Sequence, residues 1–148
     1  MRNLLKMSTL LLLFISLISC NNDTSVNGQD DLLGTWELVQ FQDETTTTIM
    51  TDLDNSGPIV ITFSNKEFEG NTGRNIFFGG YIAESKVLIF LDFFTSEVNE
   101  SEWGRKLYDA IGSTKSSNDN NYHMSFIIEG NTLKMEYEPT RFMHFEKR

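Results

Sequence analysis

Residues 68–81, FEGNTGRNIFFGGY, thread four glycines and two asparagines through an aromatic-rich run. Glycine reaches positive φ without steric cost, and asparagine tolerates it better than most residues. A run of this kind belongs in a small antiparallel sheet, whose strands must reverse tightly, rather than in a helical bundle. Gly70-Asn71-Thr72-Gly73 reads as a hairpin turn. Asn75 and the Gly79-Gly80 pair are expected to bend or bulge the strand that follows, as closing a sheet on itself requires.

The flanking sequence supplies the other strands. Residues 34–41, GTWELVQF, form a first strand with Trp36 in the core; a short helical turn over 30–33 plugs one end, and Gly34 turns the chain into the sheet. Residues 42–56, with four consecutive threonines, read as a long loop containing a poorly marked strand at Ile49-Met50. Strands follow at 58–63 and, across a Ser64-Asn65 turn, at 66–69. After residues 81–83 the chain turns at Glu84-Ser85, and 86–94, KVLIFLDFF, is the most apolar strand, central to the sheet.

One segment changes period. Asn99 caps a helix with Glu102 three residues on, and Trp103, Leu107, Ala110 and Ile111 recur at i, i+4, i+7 and i+8, so residues 99–111 lay one apolar stripe on the sheet. Gly104 weakens this helix and Gly112 ends it. Beyond a polar loop at 113–121 the alternation returns. Tyr122, Met124, Phe126 and Ile128 share one face, as do Leu133, Met135 and Tyr137, with turns at Gly130-Asn131 and Pro139-Thr140 before a last strand at 141–146. The expected fold is mainly β: an antiparallel meander of about eight strands closing into a small lipocalin-like β-barrel with one α-helix.

The amino terminus carries an address. Arg2 and Lys6 precede an apolar stretch at 10–18 broken only by Ser16, which is shorter than the ~18 residues a membrane span needs. It closes on Leu17-Ile18-Ser19-Cys20, which resembles the bacterial lipobox. The resemblance implies a signal peptide over 1–19, acylation of Cys20, a polar tether over 20–30 and one domain over 31–148, anchored to a membrane of the bacterial cell envelope. Cys20 is the only cysteine, so no disulfide forms within one chain. The formal net charge is −9 and no basic patch is visible, which makes nucleic acid a poor partner.

No catalytic constellation emerges. His123 and His144 fall in different strands without a further histidine or cysteine beside them, so no metal site is expected. Asp52-x-Asp54-x-Ser56-Gly57 begins like a calcium loop, but Phe63 occupies the place of the bidentate glutamate; it reads as a polar turn. The glycine-rich run lacks the Gly-Lys-Ser/Thr ending of a phosphate loop, no nucleophile elbow occurs, and the carboxylates are scattered. Neither a cofactor nor enzymatic activity is expected.

In order and spacing the motifs resemble the META-domain (HslJ-type) family of small bacterial envelope proteins. Gly34-Thr35-Trp36-Glu37-Leu38 is similar to its opening G-x-W-x-L. Gly73-Arg74-Asn75 with Gly79 and Tyr81 is similar to its G-C-N-x-x-x-G-x-Y, and Thr95 to the Thr of T-x-x-x-C. Arg74 and Asn99 stand where the family has its two cysteines, so no cysteine-based role carries over. The resemblance implies a barrel-like β fold in the envelope. The resulting expectation is a non-enzymatic lipoprotein that binds an envelope protein or serves envelope maintenance. The alternative, from the Gly34-x-Trp36 opening that lipocalin-like barrels share, is a carrier with a small apolar ligand in a cavity of a few hundred Å3, lined by aromatic residues of 61–94.

Overall fold

The computed structural model describes residues 28–52, 56–96 and 98–148; the expected signal peptide, Cys20, most of the tether and Asp54 lie outside them. The elements are α1 (Gly28–Leu32), β1 (Gly34–Asp43), β2 (Thr48–Met50), β3 (Ile59–Phe63), β4 (Glu67–Asn71), β5 (Ile76–Glu84), β6 (Val87–Phe90) and β7 (Phe94–Thr95), then α2 (Glu102–Ser113), β8 (Tyr122–Glu129), β9 (Thr132–Glu138) and β10 (Arg141–Lys147). Neither helix is long and apolar enough to cross a membrane.

Period-2 alternation decides the architecture. Ile59, Ile61 and Phe63 of β3, Met124 and Phe126 of β8, and Leu133, Met135 and Tyr137 of β9 point to one side and are buried. Every strand pairs antiparallel with its neighbour, and the path β1-β3-β4-β5-β6-β8-β9-β10 closes where β10 pairs back onto β1, from Trp36↔Lys147 to Asp43↔Arg141. The result is a closed antiparallel barrel of eight strands, with β2 added to β1 and β7 to β5. Closure removes the unpaired edges that an open sheet would expose.

Both ends of the barrel are covered. At one, α1 sends Leu32, fully buried, into the core, and the indole Nε1 of Trp36 donates to the Leu32 carbonyl at 2.7 Å. Gly34 takes φ +116° there to swing the chain into β1. At the other end α2 buries Trp103, Leu107, Ala110 and Ile111, with Trp103 edge-on to Phe41 of β1 at 5.0 Å between ring centres.

The expected elements are corrected in four places. The hairpin turn lies two residues later than expected: Gly70 and Asn71 belong to β4, and the chain reverses through 72–75 with Gly73 at φ +81°. Gly70 is needed for space instead, because a Cβ would overlap the Phe77 ring and the Val60 carbonyl. The apolar run 86–94 is not one strand. Tyr81 pairs with Phe90 and Phe78 with Phe94, so three residues, Leu91, Asp92 and Phe93, face the two glycines Gly79 and Gly80. The bulge therefore lies opposite the glycine pair, not in it, and Gly79 admits it because a Cβ there would overlap the Asp92 carbonyl.

The helix begins at Glu102 rather than 99: Ser101, not Asn99, is its N-cap, with Oγ accepting from Gly104 N at 3.0 Å. Gly112 lies within it, and Thr114 caps its end. The loop expected over 42–56 is partly ordered sheet, since β1 runs on to Asp43 and turns back through 44–47 into β2, with Thr47 at φ +55°.

Candidate functional site

Inward-facing side chains fill the barrel. A void of only about 10 Å3 remains, walled by residues including Phe77, Phe90, Met124, Met135 and Met143 of the strands and Leu107 and Ile111 of α2. The aromatic residues between 61 and 94 occupy the space that the carrier reading assigned to a ligand. Phe68 lies 4.5 Å from Phe90 and 5.7 Å from Phe93 between ring centres, and Phe63 meets Tyr81 edge-on at 5.1 Å. Among the described residues these rings leave no cavity of a few hundred Å3 at the centre of the barrel.

Where the β4–β5 turn meets the start of α2, buried polar groups converge. Asn75, 2 % exposed, uses its whole amide. Its Nδ2 donates to the Val98 carbonyl at 2.8 Å and to Glu100 Oε2 at 2.7 Å, while its Oδ1 accepts from Ser96 Oγ at 2.8 Å and Val98 N at 2.9 Å. Glu100 also accepts from Thr72 Oγ1 at 2.6 Å and from Ser101 N at 2.8 Å. Burial pushes the Glu100 carboxyl up, but these hydrogen bonds from Thr72, Asn75 and Ser101 outweigh it and hold the group below its ordinary value. The cluster clamps the β4–β5 turn to the segment leading into α2, so it positions the helix over the barrel mouth. Each polar group that the Asn75 side chain carries is already used.

The outer wall carries an open groove of about 770 Å3 between β4, residues 78–80 in the middle of β5 and Asp92 of the bulge. Phe78 and Phe94 stand on one side of it, both exposed, with ring centres 5.5 Å apart. Glu67, Glu69 and Asp92 line it as well.

The residues singled out from the sequence divide between the two ends. Trp36 and Tyr81 are buried near α1; the Tyr81 hydroxyl donates to the Ser64 carbonyl at 2.9 Å, and burial, then the Asp30 carboxylate, push that phenol up. Gly73 and Asn75 lie at the clamp. Gly79 faces the bulge. Thr95 is exposed, its Oγ1 donating to the Ser96 carbonyl and lying 3.0 Å from the Tyr108 hydroxyl. They do not form one site. Asn75, expected to bend the strand, is the hub of the clamp; Glu100 and Ser101 carry no sequence signal beyond that of ordinary polar residues before a helix.

Arg74 and Asn99 adjoin: Arg74 Nη1 donates to the Asn99 carbonyl at 3.3 Å. The histidines are apart. His123 Nε2 lies 2.9 Å from Asp119 Oδ2 in an exposed pair. His144, on the outer face of β10, has a buried Nε2 without a hydrogen-bond partner among the described residues; burial and then Lys134 hold its imidazole below the usual value. Among the described residues no three His, Cys, Asp or Glu side chains converge as a metal site. Asp52 Oδ1 instead accepts from Ser56 Oγ at 3.1 Å, as in a polar turn.

No protein-family profile matches the sequence, and no curated protein matches it. Solved structures do. A protein from Burkholderia xenovorans, known by NMR, superposes with a TM-score of 0.62 at 14 % identity, over 82 % of this chain and 86 % of that one. A DUF4847 family protein from Bacteroides vulgatus gives 0.54 at 13 % identity, over 79 % and 94 %. A lipocalin-like protein from Bacteroides uniformis gives 0.52 at 19 % identity, over 80 % and 99 %. At these identities the likeness is one of architecture, and that architecture is a lipocalin-like antiparallel β-barrel.

Proposed function

We propose that this chain is a non-catalytic binding protein, held at a bacterial envelope membrane through lipid on Cys20, which recognises its partner on the outside of a filled barrel. The observation that carries this reading is the contrast between an internal void of about 10 Å3 and an outer groove of about 770 Å3. Small-molecule sites run to roughly 300 to 1,000 Å3, so among the described residues it is the outer surface that offers room for an occupant without rearrangement. The lipobox resemblance at 17–20 supports the anchor. Kinship with META-domain proteins is the finer part of the proposal. It rests on the order of the Gly34, Trp36, Gly73, Asn75, Gly79, Tyr81 and Thr95 motifs, and the contact between positions 74 and 99 supports it.

A second reading has its own support. The fold is the one that the small-ligand carrier named, and the void sits directly beneath α2, walled by three methionines. Methionine side chains repack readily, so an apolar ligand would enter if α2 lifted from the mouth. Native mass spectrometry of the full chain in detergent, after exposure to an envelope extract, separates the two. The outer-surface reading expects a retained protein and no small adduct. A discrete apolar adduct, retained when the outer groove is altered and lost on Leu107→Trp, would replace it with the carrier reading.

A further inference from the structure

The outer groove has two kinds of wall that select the same chemistry. Gly80 faces outward by alternation between Phe78 and Ile82, so the floor there carries no side chain. Phe78 and Phe94 are 48 % and 55 % exposed, their rings tilted by 31° to each other. Glu67, Glu69 and Asp92 are exposed around them and enter no ion pair among the described residues; Lys66 is the one cation of the lining. An aromatic face attracts a cation through its quadrupole, and a carboxylate attracts the same cation directly. A lysine or arginine can lay its alkyl stem on the two rings while its charged head stands among the carboxylates. A fatty acid or a phosphate headgroup would gain the rings and meet three like charges.

The geometry points to this groove as a docking site for a cationic segment of a partner protein, an extended stretch presenting Lys or Arg beside apolar residues. The inference rests on the reading that recognition lies outside the barrel, and it names the surface and the partner's chemistry. A chain with formal net charge −9 also steers cationic partners toward itself over distance.

The test titrates the full chain in detergent with the acetylated, amidated peptide Lys-Phe-Arg-Phe-Lys, followed by calorimetry, beside a counterpart with Glu and Gln in place of the basic residues. The cationic peptide is expected to bind, to weaken by about tenfold between roughly 50 and 500 mM salt, and to outbind its counterpart. Phe78→Ala with Phe94→Ala, and separately Glu67→Gln with Glu69→Gln and Asp92→Asn, should each cost about tenfold or more in affinity with unchanged circular dichroism. Equal binding of both peptides, no binding of the cationic one, or full affinity in either variant overturns the assignment. So does a dimer that the phenylalanine substitutions abolish, which would give the groove to a second copy. Loss of binding to phosphatidylcholine vesicles in the phenylalanine variant alone would give it to lipid. If these variants still retain the protein captured from the envelope extract, the groove assignment falls and the outer-surface reading stands.

Discussion

Gly104 shows how a residue's context reverses its propensity. In a helix interior glycine costs about 1 kcal/mol relative to alanine, so Gly104→Ala ought to stabilise α2. Here a Cβ would overlap the Glu100 carboxylate, which four groups hold in place. We expect Gly104→Ala to destabilise the fold by about 1–3 kcal/mol in urea unfolding, because the carboxylate must leave partners that are themselves partly buried. Glu100 also sets an acid limit. Its folded pKa lies below its ordinary 4.5, so its stabilisation is present above that value and is lost as pH falls through the folded pKa. Wild type should exceed Glu100→Gln by about 1–2 kcal/mol at neutral pH, and the margin should shrink steadily below roughly pH 4.5. A margin independent of pH would show that the carboxylate's charge contributes nothing to the clamp.

At the scale of the element, the β5–β6–β7 ribbon illustrates what a run of apolar letters leaves open. The sequence 86–94 reads as one continuous strand, yet pairing with β5 slips by one residue at Leu91–Asp92–Phe93. The slip lets Phe93 pack among Phe68, Phe77, Phe90 and Tyr108 while Phe94 faces outward. Gly79 is the condition for it. Gly79→Ala should cost about 2–3 kcal/mol, since the methyl group meets a backbone carbonyl that cannot swing aside. Gly80→Ala should cost less, because only ordinary contacts at 3.7 Å and beyond await a Cβ there. Comparing the two denaturation midpoints checks this order, and an equal loss at both positions would refute it.

For the whole molecule, the barrel is sealed by its own side chains and capped by a helix at each end, so its outer wall is the surface open to solvent. The proposed lipid anchor belongs to this scale. Cys20→Ala should abolish incorporation of labelled palmitate, because the thiol that the lipobox reading has acylated is gone. Undiminished label on the variant, or none on the wild type, would leave the lipobox reading without support.

Much of this was legible in one dimension, and the reason is range. Alternation at 122–128 and 133–137 placed the inward residues, and Gly130 and Thr140 turned where expected, because pleat and turn chemistry depend on neighbours one to four residues away. The apolar stripe of α2 was readable for the same reason, although its start was not: Asn99 and Ser101 are both good caps, and the choice fell to Ser101 because Glu100 is drawn to Asn75, 25 residues away in sequence. What only the tertiary structure decided is whatever depends on distant groups meeting. The β10–β1 closure, the Asn75 clamp, the bulge opposite Gly79 and the filling of the barrel belong here. Sequence periodicity says which side chains point inward; their summed volume against the space that closure encloses decides whether room for a ligand remains, and here almost none does.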